Sequence, residues 1–380
     1  MVTRGMLLSL AGLLTLGGNM AGARAGALTE ADFLAELPTV LTASRLAQPL
    51  MDAPTSITVI DRALIAASGY HNLSDLFRLV PGMYVGQATG WFHNVSRTLV
   101  EPYSRRMQVL VDGRSIYLTS FGGVRWDAIP LALDDVERIE VVRGPNAASF
   151  GANAFTGVIN IITRHPDDVR GRLLHAIVGD HGHREAWFRW AGGGEDAGAH
   201  RVTVGRREDG GLVNLFDDER SNLFSYRGDF RLAHGAGLSV QLGYLQGSRS
   251  TGEPGVPANL PRDQDVDSYS GQGVYHRPLA AGQDLTVKFS LDNVRTRETV
   301  PFIYPPLVPL GSYYPLDVLS RRGHGEFEVD SQHGDSLRTA VGGFVRRDEV
   351  RSAHYFGQDG SLRADSWGAF FHGEWRLAPA

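Results

Sequence analysis

From about Gly171 onward the chain repeats with a period of two, and that alternation limits its possible folds more than any other feature. In 222–232, Phe224, Tyr226, Phe230 and Leu232 share one face, while Ser225, Arg227, Asp229 and Arg231 share the other. Leu238, Val240, Leu242 and Tyr244 likewise oppose Ser239, Gln241 and Gly243. Leu285, Val287, Phe289 and Leu291 oppose Thr286, Lys288, Ser290 and Asp292. Trp367, Ala369, Phe371 and Trp375 oppose Ser366, His372, Glu374 and Arg376. Successive side chains of a strand point to opposite faces, so the pattern predicts a sheet with one apolar and one polar face.

A soluble sandwich alternates in the same way, and two further cues separate it from a membrane barrel. Connections between the runs are short near 192–198, 233–237, 279–284 and 331–335, and long near 208–221, 251–266, 298–317 and 351–365. A membrane barrel has short turns at one rim and longer loops at the other. Aromatic residues also sit near run ends, namely Trp187, Trp190, Phe224, Tyr244, Tyr269, Tyr275, Trp367 and Trp375, where interfacial girdles place them. Together these cues predict a mostly β membrane protein. Outside the N-terminus no apolar run reaches the ~18 residues of a spanning helix, and the hydrophobic fraction of 42% suits strands that alternate.

The first 165 residues read differently. Residues 1–25 have the form of an export signal, with Arg4 as its charge, Met6 to Leu16 as its apolar core and Ala23-Arg24-Ala25 as its cleavage pattern. Residues 26–50 hold an acidic helix-like stretch and then LPTVLTASRLAQPL, where Pro38 stops a helix and Thr39, Val40, Leu41 and Thr42 favour an extended chain or a disordered leader. Between 51 and 165, short strands and short helices intermix. SITVID (56–61) is a strand whose Asp61 caps a helix starting at Arg62. Leu73, Leu76, Phe77 and Val80 recur at helical spacing up to Pro81-Gly82. QVLVDGRSIY (108–117) is a hairpin about Asp112-Gly113. Val136, Ile139, Val141 and Val142 form a strand broken at Arg143-Gly144-Pro145, and Val158, Ile159, Ile161 and Ile162 form another. This mixture predicts a small α+β unit.

Four of these segments, APTSITVID (53–61), LSDLFRLVPGMYV (73–85), VLVDGRSIY (109–117) and VERIEVVRGPNAASFGANAFTGVINIITR (136–164), together resemble the plug domain of TonB-dependent outer-membrane receptors. The resemblance implies an α+β plug at 51–165, enclosed by an antiparallel transmembrane β-barrel of about 22 strands that begins near residue 170. It implies active uptake of a scarce nutrient across the outer membrane of a Gram-negative bacterium. A ferric siderophore is the default, with cobalamin or another organometallic or small nutrient as the alternative; a passive porin or adhesin barrel is the rival outside the family. It also implies a TonB box near the mature N-terminus, captured as an added strand by a TonB-type energy-coupling protein of the periplasm. The best match is Leu37, Pro38, Thr39, Val40, Leu41, Thr42 and Ala43. Where many members carry an Arg-Gly-aromatic triplet before the hairpin, this chain has HNVSRTLVEPYSRR (93–106).

Length sets a geometric expectation. After residue 165, 380 − 165 = 215 residues remain, enough for about ten strands at about 20 residues each. Ten strands would close at a radius of roughly 10 Å, too small for a unit of ~120 residues whose radius of gyration is about 14 Å. An incomplete, open, curled sheet around the plug is therefore expected.

No catalytic, metal or cofactor constellation is read from the residues. Cysteine is absent, which removes thiol chemistry and suits export to an oxidising compartment. The net charge of −5 argues against a nucleic-acid partner. His181 and His183 are expected in an exposed loop, and the pairs Asp134-Asp135, Asp167-Asp168 and Asp217-Asp218 as solvated turn charges. The strongest ligand candidates are Trp91, Phe92, His93, Tyr103, Arg105 and Arg106, with Tyr117, Phe121, Arg125 and Trp126 after the hairpin. Aromatic rings beside guanidiniums can stack on a planar ligand and pair with its anionic groups; the competing role for each is packing against a surrounding wall. The Pro- and Tyr-rich stretch 298–317 reads either as a cover over a ligand or as a stiff surface loop.

Overall fold

The structure, a computed structural model, describes residues 39–40, 48–49, 55–87, 93–97, 106–146, 150–151, 153–194, 198–213, 215–256, 259–280, 282–301, 313–334, 336–357 and 360–375. Its first elements are two short strands, β1 (Thr39–Val40) and β2 (Gln48–Pro49), paired antiparallel. β3 (Ser56–Asp61) leads directly into α1 (Arg62–Ser68). The Asp61 carboxylate accepts from the Leu64 N–H at 2.8 Å, and Gly69 ends the helix at φ 68°, so both ends have the caps their residue types favour. Leu73–Leu79 forms a tight 3-10 helix where the apolar spacing predicts an ordinary helix. Pro81-Gly82 follows within two residues of its end and leaves no room for more.

Six further strands complete this part: β4 (Met83–Gln87), β5 (His93–Arg97), β6 (Met107–Val111), β7 (Arg114–Ser115), β8 (Val136–Arg143) and β9 (Gly157–Thr163). Five strands form one sheet in the order β3-β8-β9-β6-β7, with β6 and β9 parallel. The hairpin turn has Asp112 at φ 48° and Gly113 at φ 79°, the left-handed pair that a two-residue hairpin requires. Asp112 also ties the turn to β9, accepting from the Thr163 N–H at 2.9 Å and its hydroxyl at 2.7 Å. Gly157 lies so close to β8 that an added Cβ would sit 2.6 Å from the Val142 carbonyl oxygen. Ile60, Leu76, Phe77, Ile139, Ile159 and Ile161 are wholly buried at the centre of this unit.

From Gly171 the chain builds a wall of ten antiparallel strands, each paired with its sequence neighbours. They are β10 (Gly171–Val178), β11 (Arg184–Gly194), β12 (Gly198–Asp209), β13 (Glu219–Arg231), β14 (Gly237–Thr251), β15 (Arg262–Ala280), β16 (Gln283–Pro301), β17 (Tyr313–His333), β18 (Leu337–Arg351) and β19 (Ser361–Trp375). At one rim the connections are 195–197, 232–236, 281–282 and 334–336; at the other they are 179–183, 210–218, 252–261, 302–312 and 352–360. Apart from the short 179–183 turn, the expected division into short and long rims is present. β10 and β19 are the two edges and do not pair, so the sheet is open, as the radius argument requires. A short helix, α2 (Ala353–Phe356), sits in the last long-rim connection.

The wall is polar inside and apolar outside. Leu174, Trp367 and Phe371 point outward and are 75%, 82% and 72% exposed. The opposite face carries buried Arg201, Thr203, Ser225, Ser268, Gln272 and Arg322. A soluble sandwich buries its apolar face, so this arrangement belongs to a barrel wall whose outer face meets lipid. Trp187, expected in the girdle, instead faces inward and packs with Ala128, Ala132, Leu223, Leu245 and Val266. It is separated by three residues from outward Trp190, and an odd step along a strand reverses the face.

Candidate functional site

The wall touches the inner unit mainly through charges and hydrogen bonds. Asp135, in the turn that leads into β8, has no exposed surface. Its carboxylate accepts from Arg189 Nη1 at 3.2 Å, the Thr203 hydroxyl at 2.6 Å and the Ser225 hydroxyl at 3.5 Å, and Arg201 Nε lies 3.7 Å away. Those four partners come from β11, β12 and β13. Neighbouring Asp134 pairs with Arg62 at 3.2 Å and with His175 of β10. The expectation of solvated turn charges therefore fails at Asp135: β11 to β13 curve over this turn and close it off from solvent. It fails at Asp217 too, which is 4% exposed and accepts from the Leu212 N–H at 2.9 Å.

A second group of contacts runs along the hairpin. Arg227 Nη1 donates to the Thr163 carbonyl at 3.1 Å and to its hydroxyl at 3.0 Å, and Gln272 donates to the Asp112 carbonyl at 3.0 Å. Arg114 of β7 pairs with Asp292 of β16. Arg322 of β17 donates to the Ser115 hydroxyl at 3.0 Å and to Asp348 at 2.6 Å. The Thr119 hydroxyl donates to Asp348 of β18 at 3.4 Å, and contacts with the unit that extend from β10 to β18 are possible only if the sheet wraps around it.

The third group lies toward the long-loop rim, in the segment 116–129 that follows the hairpin. Tyr117 is half-buried, with the Arg322 guanidinium 5.8 Å from its ring centre. Phe121 is half-buried in the turn 119–122. Arg125 is buried, donating to Asp127 at 3.1 Å and to the Thr296 hydroxyl at 2.9 Å. Trp126 is buried against Phe77, ring centres 5.0 Å apart. Arg249 of β14 is also buried, 3.9 Å from Asp127. Nearby, between segment and wall, is a cavity of about 70 Å³ lined in part by His71, Trp126, Asp127, Glu185, Arg207 and Glu219.

Of the ligand candidates read from sequence, Tyr117, Phe121, Arg125 and Trp126 share this one segment. Arg125 and Trp126 hold it to the unit and the wall, while Tyr117 and Phe121 keep partly open surfaces. Arg106 is exposed just before β6, and its carbonyl accepts from the Phe155 and Thr156 N–H groups at 3.1 and 2.9 Å. His93 begins β5. Trp91, Phe92, Tyr103 and Arg105 lie outside the described residues, as do Leu37, Pro38, Leu41, Thr42 and Ala43 of the N-terminal match. Its Thr39 and Val40 form β1 and pair with Pro49 and Gln48.

His183 also departs from expectation. Its side chain is 12% exposed and bonds Asp209 at 2.9 Å, with the His71 ring centre 5.3 Å away. Burial pushes the Asp209 carboxyl up, but the hydrogen bonds from His183 and from the Gly211 N–H, with Arg207 nearby, pull it below its ordinary value. Among the described residues, no group of three or more His, Asp or Glu side chains could hold a metal ion. Sequence reading missed Asp135, Arg189, Arg201, Asp292, Arg322 and Asp348. The available signal was a polar face whose arginines and aspartates suit charged partners better than open water in a pore.

Comparison with known proteins gives this geometry a context. Residues 49–158 match the model of the TonB-dependent receptor plug domain. A vitamin B12 transporter of Vibrio vulnificus is 32% identical over 187 residues, covering 49% of this chain and 30% of that protein. A mutant of the ferric enterobactin receptor of Pseudomonas aeruginosa aligns with a TM-score of 0.68 at 16% identity, over 90% of this chain and 57% of that one. The closed form of the ferric-catecholate import receptor of E. coli K12 aligns with a TM-score of 0.64 at 16% identity, over 83% of this chain and 50% of that one. The chain thus spans 30% of that transporter and about half of those two receptors.

Proposed function

We propose, from the premise that this chain belongs to the TonB-dependent receptors, that it serves energy-coupled uptake of a scarce nutrient. In this reading it is exported through its N-terminal signal to the outer membrane of a Gram-negative bacterium. A ligand enters from the long-loop rim and meets the inner unit at the segment 116–129, where Tyr117 offers a ring beside Arg322 and Phe121 a second, partly open ring. Arg106, with Trp91, Phe92, His93, Tyr103 and Arg105, supplies the remaining ligand candidates. The N-terminal segment around Thr39–Val40 leaves its pairing with Gln48–Pro49 and joins a TonB-type protein of the periplasm as an added strand. Pulling on that strand displaces the inner unit and opens a path. No covalent step is required.

The observation that carries the proposal is the polarity of the contact between unit and wall. An apolar interface would expose its surface to water on movement at about 25 cal/mol per Å². Side chains such as Arg114, Asp292, Arg227, Thr163 and Gln272 can instead exchange each other for water, and a net hydrogen bond is worth only about 1 kcal/mol. A seat of this kind holds at rest and yields to applied force.

The ligand is taken to be a ferric siderophore. The sequence likeness to vitamin B12 transporters favours cobalamin as the second reading. Deletion of residues 37–43 tests the importer: ligand binding should persist while uptake is lost. Uptake that continues after the deletion would favour a passive barrel. Growth of a deletion strain on separate iron and cobalamin sources distinguishes the two ligands.

A further inference from the structure

Arg249 of β14 reaches toward the segment 116–129 and is 2% exposed, yet none of its three side-chain nitrogens makes a hydrogen bond among the described residues. Its closest described carboxylate, Asp127, lies 3.9 Å away and is itself 5% exposed. That carboxylate is already taken. Arg125 donates to it from Nε at 3.1 and 3.2 Å and from Nη2 at 3.1 Å. Glu219 and Gln264 flank Arg249 in register on β13 and β15. Glu219 makes no ion pair with it, and Gln264 donates to Glu298 at 2.9 Å. The other buried guanidiniums along this segment each hold a carboxylate: Arg114 holds Asp292, and Arg322 holds Asp348. A buried charge without a hydrogen bond is strongly destabilising, so Arg249 marks a second arrangement in which it is bonded. A shift of about 1 Å brings Asp127 within ordinary hydrogen-bond distance of it.

We infer that Arg249 is a positioning residue for an anionic ligand: it takes Asp127 over from Arg125 when an oxyanion of the ligand claims Arg125. The inference rests on the ligand reading of segment 116–129 proposed above. Arg125 lines a cavity of about 30 Å³ together with Tyr117, Thr119, Ser268, Ser320 and Arg322. Such a volume holds about one water molecule, or one oxygen of a ligand whose ring lies against Tyr117. Asp292 also faces this space, but Arg114 already holds it. An oxyanion there competes with Asp127 for the Arg125 guanidinium, and two anions repel strongly where water is excluded. Asp127 has a second guanidinium to turn to, whereas Arg125 keeps its bond to the Thr296 hydroxyl at 2.9 Å. A neutral ligand oxygen brings no charge against Asp127 and leaves it in place. The exchange draws the turn Trp126–Ala128 toward β14, so an arriving charge becomes a tighter seat of the segment on the wall.

Hydrogen exchange at the Ala128 amide, which donates to the Arg125 carbonyl at 3.1 Å, reads the seat of this turn in the full chain in detergent. Formate serves as the anionic probe and formamide as a neutral counterpart of similar size. With neither present, Arg249→Gln should change the rate by less than about twofold, because no bond is lost. In an Arg125→Gln background Asp127 has only Arg249. The same change should there accelerate exchange at least about tenfold, the loss of one charge-assisted hydrogen bond. Formate should bring out this acceleration in the chain that keeps Arg125, and formamide should not. Arg249→Lys should keep most of the protection, whereas Glu219→Gln should not reproduce the effect of Arg249→Gln. Unchanged exchange between β11 and β12 confirms that each variant folds. An Arg249→Gln effect equal in the two backgrounds, one reproduced by Glu219→Gln, or equal responses to formate and formamide would each overturn the inference. Deletion of residues 37–43 should leave all these rates unchanged, so failure here and failure of the importer reading are separable.

Discussion

Replacing Asp135 by Asn probes the seat of the inner unit most directly. The substitution keeps the shape and one acceptor oxygen but removes the negative charge. Arg189 and Arg201, 8% and 3% exposed, would then face each other with the carboxylate gone. Arg189 keeps its bond to the Asp134 carbonyl at 3.0 Å, and Arg201 keeps one to the Arg164 carbonyl. Neither bond supplies charge. Breaking one side of a buried ion pair costs about 3–5 kcal/mol. The lower figure applies here because the amide still accepts from Thr203, and it corresponds to about a hundredfold change in an opening equilibrium. Native-state hydrogen exchange at the amides of β8 and β9 reads that equilibrium. Exchange there should accelerate about a hundredfold, while the amides between β14 and β15 keep their rates. Adding Arg201→Gln should recover part of the loss, because the two residues are coupled. Asp365→Asn, which breaks an exposed pair with Arg347, should have little effect. Exchange in Asp135→Asn within about twofold of the original chain would refute the argument that this carboxylate anchors the unit.

Two further outcomes follow from local geometry. Gly157→Ala places a methyl group 2.6 Å from the Val142 carbonyl oxygen; it should destabilise the β8–β9 pairing by about 1–3 kcal/mol, seen as faster exchange confined to the inner sheet. The Asp209 carboxyl titrates below its ordinary value, so its stabilising effect is complete above the unfolded value near pH 4 and is lost as pH falls through the lower folded value. Hydrogen exchange in 179–183 and 209–211 should therefore rise selectively below about pH 4, and Asp209→Asn should show the raised rate already at neutral pH.

Much of the fold is legible in the residues because its causes are local. Asp112-Gly113 favours a hairpin whatever surrounds it, since both residues tolerate a positive φ. Asp61 caps α1 from within the same turn. Alternation in β13, β14, β16 and β19 assigns each side chain to a face, since the pleat has period two. Tyr117, Phe121, Arg125 and Trp126 stand out in the sequence as aromatic residues and arginines close together after the hairpin. Trp187 shows where pattern reading stops: an aromatic near a strand end can face either way, and only its odd spacing from Trp190 says which.

The pairing of charges across the chain was not legible. Asp135 meets Arg201, 66 positions further along the chain, and Thr119 meets Asp348, 229 positions further along. Nothing in the neighbourhood of either residue announces its partner. The amino-acid order alone determined that residues from Gly171 onward would form a two-faced sheet and set the mixed strand and helix signals before it apart from that sheet. It also determined that so few strands could not close around the unit that carries those signals. The tertiary structure decided which carboxylates are buried, which arginines they hold and which rings of the segment 116–129 stay open. Strand pairing and turn chemistry act over a few residues, whereas a buried ion pair exists only after curvature has brought distant strands within about 4 Å of one another and excluded water between them.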